Sequence, residues 1–149
     1  MSSDTRYRFV PPLLLMLVAL LAYANSFHVP FMFDDLATLV RNPNIRSILP
    51  VGFWPRWLVW LSFQLNYAVH AYHVVGYHVV NLVFHIGAGL LLYGIVRRTL
   101  MRPGVSETWS KAASPLAWTV GACWLAHPLQ TESVTYICQR YESMMGGFM

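Results

Sequence analysis

The stretch Val74-Val75-Gly76-Tyr77-His78-Val79-Val80-Asn81-Leu82-Val83-Phe84-His85-Ile86-Gly87-Ala88-Gly89-Leu90-Leu91-Leu92-Tyr93-Gly94-Ile95-Val96 carries no formal charge, and Arg97-Arg98 close it at once. A helix crosses the hydrocarbon of a bilayer with about 20 mostly apolar residues, so this run is long enough to span. The whole composition agrees with it. Of 149 residues, 56% are hydrophobic and 11% charged, and the mean hydropathy is +0.46. Soluble domains are about 25% charged, so a water-soluble globule and a disordered chain are both poor fits. A net charge of +4 does not imply nucleic acid, because only Arg97, Arg98 and Arg102 cluster and no basic stripe forms. Cys123 and Cys138 build no disulfide framework and read most simply as buried thiols.

Two more apolar runs flank this one. The first covers about 9–25, behind Arg6 and Arg8, with Pro11 and Pro12 in its first turn, where a missing N–H costs little. It fits a span. It also fits a signal peptide, with 13–21 as the apolar core and Ala22-Tyr23-Ala24 as a small-residue cleavage site. In both readings the chain after Ala24 lies outside the cytoplasm. The other run covers about 112–126, with Trp109 and Trp124 near its ends as interfacial anchors. Lys111 joins the three arginines between the second and third runs, which makes that loop cytoplasmic and the loop 26–73 extracytoplasmic. A fourth apolar stretch starts near Met144. The expected fold is therefore all-α and polytopic, with 1–149 the N-terminal part of a larger transmembrane domain of which three to four spans are present.

The loop 26–73 opens with Ser26-Phe27-His28-Val29-Pro30-Phe31-Met32-Phe33-Asp34-Asp35, and these two aspartates are its only acidic residues. Neighbouring carboxylates repel unless a cation or water attends them. Burial against Phe31 and Phe33 would suit one of them to general-base work. A solvated turn, with Asp capping a helix that starts near Leu36, accounts for the pair equally well. Further on, Trp54 to Tyr67 reads as an amphipathic or interfacial helix. Arg56 at its start suits either a bidentate phosphate contact or a lipid headgroup. Within the second span His78, Asn81 and His85 share one helix face. Their spacing is a poor metal pattern and a good one for hydrogen bonds between helices. After the third span, His127, Glu132, Arg140 and Glu142 return the chain to the side of the aspartates. No glycine-rich phosphate loop, Ser-His-Asp arrangement or zinc pattern is present.

Four blocks in order then resemble one family. Phe31-Met32-Phe33-Asp34-Asp35 with Arg41-Asn42-Pro43-Asn44-Ile45-Arg46 resembles the first luminal loop of the transmembrane and tetratricopeptide-repeat O-mannosyltransferases. Arg56 to Tyr67 is similar to that family's Arg-Pro-Leu-Thr…Phe…Leu-Asn-Tyr segment. Gly76-Tyr77-His78-Val79-Val80-Asn81-Leu82-Val83-Phe84-His85 is similar to its Tyr-His-x-x-Asn-x-x-Phe-His span. His127-Pro128-Leu129-Gln130-Thr131-Glu132-Ser133-Val134, with Arg140 and Glu142, is similar to its His-Pro-x-x-Thr-Glu-Ala-Val…Gly-Arg-x-Glu stretch. Together the blocks cover nearly everything from Phe31 to Glu142. Two positions depart from the pattern: Trp57 stands for the usual Pro and Gln139 for the usual Gly, and neither change removes a charge.

The resemblance implies a GT-C-type inverting glycosyltransferase in the bacterial inner membrane or the endoplasmic reticulum. It implies a polyprenyl-phosphate sugar donor, with mannose as the sugar by analogy, and a Ser or Thr hydroxyl of a polypeptide as acceptor. In that family an acidic residue of the first outer loop is catalytic, which by position selects Asp34 and Asp35. One would act as base while the other orients the acceptor or holds a divalent cation through its oxygens. Arg56 and Arg140 become candidates for the departing phosphate, and His127 and Glu132 for organising the acceptor or supporting Arg140. No cofactor beyond that cation is implied, and nucleic acid is not an expected partner. The family's tetratricopeptide repeats would lie far downstream, and the 149-residue piece alone is expected to be inactive. Two other classes fit the same residues: a noncatalytic membrane scaffold, or another lipid-linked-sugar ligase, polymerase or transporter.

Overall fold

The computed structural model of the chain describes residues 9–48 and 56–148, with the side chains of 147 and 148 excepted. Arg6, Arg8, Trp54 and Pro55 lie outside the described residues. Every regular element among those described is helical. The longer ones are α1 (Val10–Ala22), α2 (Trp57–His70), α3 (Val74–Leu100), α4 (Glu107–Lys111), α5 (Ala113–Leu125), α6 (Thr131–Thr135) and α7 (Arg140–Phe148). Short 3-10 turns at Ser26–His28, Pro43–Ile45, Pro128–Gln130 and Ile137–Gln139 join them, with one π-helical turn at Leu36–Val40.

Helix α3 organises the rest. Its 27 residues rise about 40 Å, enough to cross about 30 Å of hydrocarbon. It is the one described helix that is long and apolar enough to do so, while α1 is apolar but shorter. The two faces of α3 are reversed relative to a soluble helix. Tyr77, His78, Asn81 and His85 are buried, whereas Val75, Val79, Val83, Leu91 and Ile95 are exposed. Polar groups turned inward and aliphatic ones outward is the arrangement expected where the surrounding medium is itself apolar.

Three of the expected apolar runs become helices, at slightly different limits. The run 9–25 is helical over Val10–Ala22, and 74–96 extends to Leu100. The run 112–126 gives α5 only from Ala113, because Ala112 ends α4. The stretch expected to begin near Met144 is already helical from Arg140.

Small residues let α1, α3 and α5 approach closely. A Cβ on Gly89 would sit 2.6 Å from the Leu125 side chain, and one on Gly121 would sit 3.3 Å from Leu15. Leu15, Ala19, Tyr23, Leu82, Leu125 and Val134 form the core between these helices. At the far end of α3, Arg97 Nε donates to Ser114 Oγ at 3.0 Å and ties the two helices again. A second core sits at the end of the bundle where the aspartates lie. It gathers Leu39, Ile45, Val59, Phe63, Tyr77, Ile137 and Met144 beneath α2 and α7. Cys138 is buried there, whereas Cys123 is exposed, so the expectation of two buried thiols holds for one of them.

Most of the polar face of α3 is satisfied by backbone. The carbonyl of Leu125, at the last turn of α5, has no partner within its own helix. It receives Tyr23 Oη at 3.2 Å and His85 Nε2 at 3.1 Å. His85 is stacked on Trp124 at 4.9 Å between ring centroids. The ring nitrogens of His78 face the carbonyl oxygens of Val29 at 2.8 Å and Val134 at 3.2 Å. The hydrogen bonds expected between helices are therefore made, and they clamp segments far apart in sequence.

Candidate functional site

The two aspartates are adjacent in sequence and opposite in environment. Asp35 is 1% exposed, while Asp34 is exposed. The Asp35 carboxylate accepts from two backbone donors, Met32 N at 3.2 Å and Cys138 N at 2.7 Å. A carboxylate that receives backbone N–H groups is a strong, directional anchor. Asp35 does not cap the following turn with its side chain; it joins the loop to a segment 103 positions later. Asp34 is presented on the rim of that anchor. Its backbone N donates to Tyr136 Oη at 3.0 Å, and its carboxylate has no hydrogen bond or ion pair among the described residues. Phe33, just before it, holds φ at +46° and is 79% exposed. A left-handed conformation is costly for a bulky residue and persists only where the surroundings enforce it; here Asp35 closes the turn from both sides.

The Ile137–Gln139 turn is the opposite wall. Asn81 Nδ2 donates to the carbonyls of Tyr136 and Ile137, each at 3.4 Å. The Cys138 thiol is pushed up to about 12, first by burial and then by its hydrogen bond to Asp35 and that group's negative charge.

Arg140 follows, and the structure places it inside. Its side chain is fully buried. Nε donates to Asn81 Oδ1 at 2.7 Å, Nη1 to Ser62 Oγ at 3.1 Å, and Nη2 to Asn66 Oδ1 at 2.9 Å and to the Tyr77 carbonyl at 3.1 Å. Its guanidinium carbon lies 4.4 Å from the centroid of the Phe63 ring. All these partners are neutral, so a cation is held by dipoles and an aromatic face alone. Glu132, expected as a support for Arg140, is exposed and not among its partners. Arg140 is thus a tie between α2, α3 and α7.

Arg56 sits apart, exposed at the start of α2 with φ +71°. Its guanidinium lies 5.3 Å from the Tyr141 ring centroid, beside a cavity of about 240 Å³ lined by Val59, Tyr141, Met144 and Met145. His127 is exposed, and its Nδ1 accepts from Leu129 N at 3.2 Å, which shapes the Pro128–Gln130 turn. Neither His127 nor Glu132 bonds to Asp34, Asp35 or Arg140 among the described residues. Sequence reasoning brought out both aspartates and Arg140, but not Tyr136, Ser62 or Asn66. Their roles depend on contacts across 74 to 102 positions and have no local signature.

A divalent cation needs several oxygen ligands. No group of three or more His, Cys, Asp or Glu gathers among the described residues. Each Asp35 oxygen accepts one backbone donor and is buried, which leaves Asp34 as the exposed carboxylate of the pair. The described residues do not by themselves fit a cation site.

The chain resembles several curated proteins over most of its length. It is 30% identical to protein O-mannosyl-transferase Tmtc3 of Drosophila melanogaster over 83% of the chain and 16% of that protein. It is 29% identical to protein O-mannosyl-transferase TMTC4 of Homo sapiens over 88% of the chain and 20% of that protein. For protein O-mannosyl-transferase F38B6.6 of Caenorhabditis elegans the values are 26%, 89% and 21%. No family model matches the chain. No solved structure matches it either. This helical chain belongs to the TMTC-like family of protein O-mannosyl-transferases. It spans about a fifth or less of the length of these relatives.

Proposed function

We propose that this chain is part of a membrane glycosyltransferase that moves a sugar, mannose by analogy, from a polyprenyl-phosphate donor to a Ser or Thr hydroxyl of a polypeptide. The observation that carries the reading is the division of labour between the two aspartates. Asp35, buried and doubly bonded to backbone, fixes the turn; Asp34, adjacent and unpaired, is free to meet a substrate. The names of the relatives supply the reaction class, and the reversed faces of α3 support a site at the edge of a bilayer.

In this mechanism the acceptor hydroxyl attacks the anomeric carbon and gives its proton to Asp34. A new carbon–oxygen bond forms to the acceptor as the bond to the donor phosphate breaks, with inversion at that carbon. Polyprenyl phosphate leaves with the electron pair. Arg56, exposed at the start of α2, is the guanidinium assigned to the departing phosphate on this reading. Arg140, fully buried, acts through the geometry it imposes on α2, α3 and α7. On this reading α1, α3 and α5 each cross the membrane, the loop 26–73 faces away from the cytoplasm, and the membrane is that of the bacterial cytoplasm or the endoplasmic reticulum.

The test is sugar transfer by the full-length protein in lipid nanodiscs. Asp34→Asn should lower turnover by about a hundred- to ten-thousand-fold with folding intact. Full turnover in Asp34→Asn would remove it as the base, and an Asp34→Cys variant whose new thiol reacts with a membrane-impermeant reagent only from the cytosolic side would remove the topology.

A further inference from the structure

The Asp34 carboxylate has no partner of its own among the described residues, so the backbone that carries it sets its direction. Around it the turn largely serves itself. Met32 N donates to Asp35 Oδ2 at 3.2 Å, Asp35 N to the Met32 carbonyl at 2.9 Å, and Leu36 N to the Phe33 carbonyl at 3.1 Å. The Asp34 amide is different: its acceptor, Tyr136 Oη at 3.0 Å, comes from 102 positions away. The peptide plane between Phe33 and Asp34 is thus held by two bonds, one local at its carbonyl and one distant at its N–H. That plane follows a residue with φ of +46°, a conformation that a bulky side chain keeps only under constraint. Freed at its N–H, the plane can pivot about its two Cα atoms and swing the Asp34 side chain with it.

Tyr136 is itself firmly mounted. It closes α6, with its N donating to the Glu132 carbonyl at 3.0 Å. Its own carbonyl accepts from Gln139 N at 3.1 Å and from Asn81 Nδ2 at 3.4 Å. Asn81 Oδ1 in turn accepts from Arg140 Nε at 2.7 Å. A continuous path therefore runs from the fully buried Arg140 through Asn81 and Tyr136 to the exposed Asp34. The phenol has little else to do. Its ring belongs to neither apolar core, and its hydroxyl makes no other hydrogen bond among the described residues. A neutral hydrogen bond at an exposed position adds little to stability, so what this one supplies is direction.

We propose that Tyr136 is the positioning residue of Asp34: its hydroxyl fixes the Asp34 backbone, and with it the angle at which the carboxylate meets the acceptor hydroxyl. The proposal rests on the reading of Asp34 as the base. Tyr136 touches no reacting atom, and the acceptor proton still passes to Asp34. Proton transfer needs the two oxygens within about 2.6–3.2 Å, so a misdirected carboxylate slows the chemical step without weakening the binding of substrate.

The experiment is a double-mutant cycle on full-length protein in nanodiscs, with kcat and KM measured for transfer from polyprenyl-phosphate mannose to a Ser/Thr peptide. Tyr136→Phe keeps the ring and removes only the hydroxyl. It should lower kcat about ten- to a hundredfold, leave KM within about twofold and leave the thermal midpoint in place. In an Asp34→Asn background the same substitution should cost nothing further, because the group it aims is already gone. Hydrogen exchange tests the geometry apart from the reaction: the Asp34 amide should exchange about tenfold faster in Tyr136→Phe. Normal kcat in Tyr136→Phe beside an impaired Asp34→Asn would overturn this proposal and leave Asp34 as the base. An equal loss in both backgrounds would also overturn it, since Tyr136 would then act without Asp34. So would a loss in which KM rises and the midpoint falls together, the mark of a merely structural residue, or an unchanged exchange rate at Asp34. Normal turnover in Asp34→Asn is the separate result that would sink the base reading, and the positioning role with it.

Discussion

Asp35 Oδ1 accepts a hydrogen bond from the backbone of Cys138 at 2.7 Å, joining the loop after α1 to the turn before α7. The bond is buried and charge-assisted, and the same carboxylate also receives Met32 N. Removing it leaves two backbone donors unpaired, one of them buried.

Asp35→Ala should therefore cost about 2–3 kcal/mol of stability. Asp34→Ala, at an exposed position without a side-chain partner, should change it by no more than about 0.5 kcal/mol. Thermal unfolding of the two variants in detergent, side by side, checks the contrast. Equal losses would contradict the assignment of distinct duties.

Cys138 gives a dependence on pH. Its thiol is raised from 9.0 to about 12 in the folded chain, so folding favours the protonated form. That contribution is complete below about pH 9 and is lost as pH rises toward about 12. Cys138→Ala should flatten the fall in stability over this window. At pH 8.5 iodoacetamide should modify exposed Cys123 and leave Cys138 untouched until the protein unfolds.

Arg140→Lys should destabilise the protein by about 2–4 kcal/mol. A single ammonium cannot reproduce the fork that reaches Asn81, Ser62, Asn66 and Tyr77 together. A midpoint of denaturation unchanged by this substitution would show the guanidinium to be dispensable.

Gly89→Val should part α3 from α5, since a Cβ alone already falls 2.6 Å from buried Leu125. A cost of about 1–3 kcal/mol is expected from overpacking. Pairing Gly89→Val with Leu125→Ala should recover part of it, as measured in a double-mutant cycle.

Much of this was legible in the sequence because it depends on short-range pattern. The uncharged run 74–96 fixed the place of α3, and the three- and four-residue spacing of His78, Asn81 and His85 put them on one face that proves to be the buried one. The aspartates and Arg140 stood out by charge in an apolar chain. Which of them would be inside did not. The burial of Asp35 depends on the turn 137–139, and that of Arg140 on side chains from three helices; such closures are set by packing over long sequence separations. Trp57 in place of a helix-starting proline did not stop α2 from beginning there, because Val59 and Phe63 are drawn into the core beneath α7. Tyr136 was invisible for the same reason, its role being defined by where the backbone of Asp34 comes to lie.

The tie made by Arg140 has a bearing on biosynthesis. Ser62, Asn66, Tyr77 and Asn81 all leave the ribosome well before it does. Until residue 140 emerges, the polar atoms that will receive the guanidinium have no cation to receive, even though the segments bearing them already exist. The nascent chain passes through an interval in which its helices are made but not yet locked, and a late-arriving side chain ends that interval.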